Sequence, residues 1–144
     1  MNIPYITYSG AAGTSASRGW AIKDGGRSES SPKERETVID DIPYRKDPID
    51  LSKYNGKSYF GRRTVTYTFV QSFGSVRDAY EAANSFGSWL MECRGATLTD
   101  TLGNCTFSGA KCSNTSYSLS GFLVTFTAEF TANPYKTVNG VEVL

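Results

Sequence analysis

"RRTVTYTFV", Arg62 to Val70, decides how this chain folds. Val65, Tyr67 and Phe69 fall on one side of an extended backbone, and Thr64, Thr66, Thr68 and Val70 on the other. β-branched and aromatic residues alternating at period two mark a half-buried strand. Its apolar face must be covered. The cover comes next in the chain, in "SVRDAYEAANSFGSWLMEC" (75–93). Ser75 is placed to cap a helix, with Asp78 three residues on in an approximate capping box. Val76, Ala79, Tyr80, Ala83, Phe86 or Gly87, and Leu90 form one apolar stripe at helical spacing. The expected helix runs over about 75–90, and Gly87 predicts an end or a kink before Trp89.

Beyond the helix, "GFLVTFTAEFTA" (121–132) alternates again, with Phe122, Val124, Phe126, Ala128 and Phe130 on one face. "TLTD" (97–100) and "CTFSGAKCSNTSYSL" (105–119) read as further strands, with turns at Leu102-Gly103-Asn104 and around Gly109. Upstream, short strands are expected at Tyr5–Tyr8, Gly19–Lys23 and Thr37–Ile42. "SGAAGTSAS" from Ser9 lacks the Lys-Ser/Thr ending of a phosphate loop and reads as a flexible connection. Strands, one helix, then strands again predict a mainly β fold, an antiparallel β-sandwich or barrel carrying one helix. Its core should contain Val65, Tyr67, Phe69, Leu90, Phe122, Val124 and Phe126.

Composition narrows the function. The chain has 144 residues, 39% hydrophobic and 20% charged, with a net charge of +1. That suits one folded domain spanning 1–144 and argues against a dedicated nucleic-acid binder. No apolar run reaches the length of a membrane span, so no membrane partner is expected. The first residues lack a basic segment followed by an apolar core, so folding in a cytoplasm is expected. No histidine is present, which removes histidine-based triads, general bases and the usual metal sites. Cys93, Cys105 and Cys112 lack paired zinc spacing and read as buried reduced thiols. The carboxylate pairs Asp40/Asp41 and Asp47/Asp50 lie in turn-rich contexts, where they cap amides or stay solvated. No catalytic residue, metal or cofactor is expected.

Two polar stretches remain. Asp24–Glu36 balances three basic against four acidic residues and holds Gly25-Gly26 and Ser31-Pro32. It reads as a long exposed loop, with Arg27, Glu29, Lys33, Glu34 and Arg35 as candidate contacts to a neighbouring subunit. Between Arg45 and Arg63, six basic residues meet two acidic ones, interleaved with Tyr54, Tyr59 and Phe60. That could stack and grip nucleic acid. The spread of the charges and the mix of turns and aromatics favour a polar-rimmed subunit interface instead. Tyr44, Arg45, Tyr54, Tyr59, Arg62 and Arg63 are its candidate residues, the arginines reaching carboxylates of the next subunit.

The order of these motifs resembles the distal tail proteins of long-tailed phages and prophages of Gram-positive hosts. Ile42-Pro43-Tyr44, then Ile49-Asp50-Leu51-Ser52, Tyr59, Arg62-Arg63, and Tyr67 with Phe69 match that family's hallmark segment. "SWLME" (88–92), "FSG" (107–109) and Phe130 to Lys136 follow in the family's order, so the likeness covers about residues 18–136. The resemblance implies a tail-tube-like ring domain and a non-enzymatic virion protein of the tail tip. Such a hub forms a homohexameric ring that joins the tail-tube protein to a tail-tip or tail-associated protein, with DNA only in transit. The chain stops at Leu144, where many members continue into a galectin-like domain, so a ring domain alone is expected. Two rival readings stand beside it: a tail-tube or tail-completion ring protein of the same fold, and a monomeric carbohydrate-binding β-sandwich.

Overall fold

The computed structural model describes residues 3–32, 38–39, 49–50 and 61–144. Their order is β1 (Ile6–Tyr8), β2 (Ala21–Glu29), β3 (Val38–Ile39), β4 (Ile49–Asp50), β5 (Arg63–Ser72), α1 (Val76–Met91) and β6 (Arg94–Asp100). β7 (Cys105–Ser120), β8 (Leu123–Ala132), β9 (Lys136–Val138) and β10 (Val141–Val143) follow. β3 and β4 pair with each other, and the other eight strands form one antiparallel sheet in the order β1-β6-β7-β8-β5-β2, with β9 on β7 and β10 on β9. The fold is mainly β with one helix among the described residues, as the periodicities predict.

β7 makes the sheet bend. One of its flanks pairs with β6 as far as Lys111; the other carries β9 at Thr106–Phe107 and β8 from Lys111 to Ser120. The pairing therefore changes partners half-way along one strand, as happens where a strand serves two sheet layers. Bulges mark the change. Leu98 pairs with Phe107 but Ala96 with Ala110, and further shifts lie between Arg94 and Ala96 and between Cys112 and Asn114. Gly109, expected in a turn, lies in the first bulge, where Ser108 and Gly109 together stand opposite Thr97. Its φ of +60° suits glycine, and a Cβ there would come within 2.8 Å of the Asn133 side chain.

Alternation sets the core. Val65, Tyr67 and Phe69 of β5 and Val124, Phe126, Ala128 and Phe130 of β8 are buried, and α1 covers them with Ala79, Ala83, Phe86, Trp89 and Leu90. Phe86 is the hub, its ring 4.8 Å from Trp20 and 5.0 Å from both Phe69 and Phe126. Ser75 caps α1 by accepting from the Asp78 amide at 3.2 Å. The helix does not break at Gly87 but continues to Met91, and a Cβ at Gly87 would make only an ordinary contact with Phe126, at 3.5 Å. Val76 and Tyr80 of the expected stripe are exposed. Phe122 also leaves the expected core. It sits in the two-residue β7–β8 loop after Gly121, where alternation no longer applies, and is 55% exposed.

The segment from Ser9 is ordered rather than flexible. Ile6 N–H donates to the Ser15 hydroxyl, the Ser15 amide donates back to the Ile6 carbonyl, and Ser15 is fully buried. All three cysteines are free and buried, and burial pushes the Cys93 and Cys112 thiols up to about 11. Unreactive thiols at neutral pH follow.

Candidate functional site

β2 and β6 are separated by three strands in the sheet, yet Arg27 on β2 donates through Nε to Asp100 Oδ2 at the end of β6, at 2.6 Å. The sheet must curl to allow this. The contact belongs to a cluster that fastens the curl. Tyr67 Oη donates to the same Asp100 oxygen at 2.6 Å, and the Gly103 amide donates to the other at 2.9 Å. Glu29 receives Arg27 Nη2 at 3.1 Å and Lys136 Nζ at 2.9 Å, and pairs with Arg63 as well. Arg63 also donates from Nε and Nη2 to the Pro134 carbonyl at 3.2 and 3.0 Å. Strands β2, β5, β6 and β9 are thus tied by five charged side chains that satisfy one another.

The environment holds each group in the state its partners need. Burial raises the Tyr67 phenol, and Asp100 beside it raises it further, so the hydroxyl stays a donor. Burial alone would lower the Arg27 guanidinium, but the hydrogen bond and charge of Asp100 outweigh it and the net shift is upward. For Glu29 burial pushes upward, and the hydrogen bond and charge of Lys136, with the charges of Arg63 and Arg27, overcome it; its carboxyl lies below the usual range. A carboxyl lower in the folded than in the unfolded chain stabilises fully above the unfolded value of about 4.3 and loses that contribution as pH falls through the folded value. Acid unfolding should therefore steepen below about pH 4.3, and Glu29→Gln should flatten that limb in a urea midpoint series from pH 6 to 3. An unchanged slope would show that Glu29 does not carry it.

The structure revises several expected sites. Asp24–Glu29 is not loop but the second half of β2, paired Arg27↔Tyr67, Ser28↔Thr66 and Glu29↔Val65. Arg27 and Glu29 are spent inside the chain and are not free to reach a neighbouring ring. Lys33, Glu34 and Arg35 lie outside the described residues. Arg63 is 2% exposed and finds its carboxylate in its own chain, which corrects the expected pairing with the next subunit. Arg62 donates to the Gly109 and Thr131 carbonyls at 2.6 and 3.1 Å and bonds the Asn133 side chain. Tyr44, Arg45, Tyr54 and Tyr59 lie outside the described residues. Asp100 was missed altogether; only its place at the end of a strand, next to a turn, hinted at a role.

What remains open lies on the surface. The outer face of β5 and β8 carries Thr64, Thr66, Thr68, Thr125, Thr127 and Thr131, with Glu129 as its one charge. At one end of the molecule, Val76, Tyr80, Tyr117 and Phe122 are exposed around the start of α1 and the β7–β8 loop, Tyr80 and Tyr117 meeting edge to face at 6.1 Å. At the other end, β9 and β10 form a hairpin through Asn139-Gly140, both at positive φ, as a two-residue turn requires. Among the described residues, no helix is long and apolar enough to cross a membrane.

No protein-family model and no curated sequence matches the chain. A solved structure does: the Dit protein (gp 19.1) of SPP1, described as a paradigm of the hub adsorption apparatus in Gram-positive infecting phages. The two superpose with a TM-score of 0.63 over 94% of this chain, at 11% identity. The chain corresponds to 52% of that protein's length.

Proposed function

We propose that this chain is a non-enzymatic structural protein of a phage tail, a distal-tail hub domain. Copies of it form a hexameric ring that joins the tail tube to the tail tip and lets DNA pass. The observation that carries this reading is the fold shared with the SPP1 hub protein over 94% of the chain. The order of sequence motifs, from Ile42-Pro43-Tyr44 to Phe130–Lys136, supports it independently. Turned to the lumen of such a ring, the threonine face of β5 and β8 would present a surface almost free of charge, which does not hold a passing polyphosphate as lysines or arginines would.

Purified protein, concentrated and viewed by negative-stain microscopy, should show rings with a central hole, and these should stack on the end of tubes of the cognate tail-tube protein. Rings that instead polymerise by themselves into tubes would assign the chain to the tail tube. Particles without rings at any concentration would overturn the hub reading and favour the carbohydrate-binding module.

A further inference from the structure

We propose that the edge of β7 from Thr115 to Leu119, unpaired among the described residues, is a strand-addition site that takes β10 of a second copy. This rests on the ring reading and assigns its contact. The register identifies the free groups. Phe73 N–H donates to the Phe122 carbonyl, so along β8 the residues Val124, Phe126 and Ala128 turn their backbone groups to β5, and Thr125 and Thr127 turn theirs to β7. The latter two face Ser118 and Ser116. Thr115, Tyr117 and Leu119 must then turn their N–H and C=O to the opposite flank. β6 occupies that flank only as far as Lys111, with one more bond from the Cys112 amide to the Cys93 carbonyl. Among the described residues no strand continues beyond it. Ser116, Tyr117 and Ser118 are exposed and Thr115 and Leu119 half-buried, so among the described residues this row of outward backbone groups has no strand partner, which makes it a template for another strand.

The matching strand is in the same chain but cannot reach the edge there. Among the described residues β10 pairs only with β9, its three residues are exposed, and Val141 is 61% exposed. Its hairpin closes at Val138↔Val141, so Glu142 turns its backbone groups outward. β10 lies on the β8–β9 flank of β7, at the Cys105 end. The free edge lies on the other flank, at the Ser120 end. Only another copy can bring the two together. The contact joins two different patches, so it propagates head to tail and closes into a ring when the rotation per copy allows. The remaining edges are less suited: the Ile6 backbone of β1 is bonded to Ser15, and a bulge between Ile22 and Arg27 interrupts β2.

Hydrogen exchange resolved to single amides, on the full chain in dilute and in assembled form, reads both edges at once. On assembly, the amides of Thr115, Tyr117, Leu119 and Glu142 should slow by about tenfold or more. Thr115→Pro and Glu142→Pro each remove an outward N–H that the monomer leaves unbonded, so both variants should fold and stay monomeric. Mixed together they should stop at dimers, because one intact β10 then meets one intact β7 edge and no further contact is possible. Rings whose four amides exchange as in the monomer, or variants that form rings like the parent, would overturn the inference and leave the ring reading standing. Protection already present in the dilute monomer would overturn it too, since the edge would be covered within one chain. A parent protein that never assembles would sink the ring reading itself.

Discussion

Asp100→Ala is expected to destabilise the domain by about 3–5 kcal/mol, the usual cost of removing one partner from a buried charged pair. Asp100 is 1% exposed and accepts from Arg27, Tyr67 and Gly103. Its loss leaves a guanidinium and a phenol desolvated with no acceptor, and it unfastens β2 from β6. The contrast is the helix pair Arg77–Glu81, 88% and 66% exposed, where Glu81→Ala should cost no more than about 0.5 kcal/mol. Urea unfolding followed by tryptophan fluorescence measures both. A loss below about 1 kcal/mol for Asp100→Ala would mean that water or a neighbouring group replaces the carboxylate, and that the cluster does not hold the curl.

Phe126→Ala should cost a similar amount, about 3–5 kcal/mol, by a different mechanism. Phe126 is 1% exposed and touches Trp20, Phe86 and Tyr117, with centroids 5.7, 5.0 and 6.1 Å away. It also packs beneath α1 at Gly87, 3.5 Å from where a Cβ would sit. The sheet cannot collapse into the void, because β8 is pinned by β5 and β7 on both sides. The loss should appear as a lower urea midpoint with an unchanged slope. Phe122→Ala, at the first position of the expected alternation but exposed, should be close to neutral.

Why the second of these positions was legible and the first was not is a matter of what alternation encodes. β5, β8 and α1 each bury one face against apolar neighbours, so period two and period 3.6 are written directly in Val65, Tyr67 and Phe69, in Val124 to Phe130, and in Ala79 to Leu90. The second half of β2 is buried differently. Its inward groups are Arg27 and Glu29, whose partners lie far along the chain at Asp100 and Lys136, and local pattern cannot distinguish such a segment from a solvated loop. Gly25-Gly26 looked like loop chemistry for the same reason. Gly26 is there because a Cβ would come within 2.9 Å of the Thr68 carbonyl on the paired strand. Tyr80 and Phe122 failed in the other direction: helical and strand periods continue for a residue or two past the surface that the neighbouring element covers.

The edges of the sheet were not legible at all, since which strand stays unpaired depends on the whole pairing order. That order carries the assembly account, and the mass of the particle in solution tests it most directly. By light scattering across a concentration series, the chain should move from its 15.7 kDa monomer to a single closed species of six times that mass, with no population growing beyond it. A mass that stays at one chain at every concentration, or that climbs without limit, would contradict a closed ring.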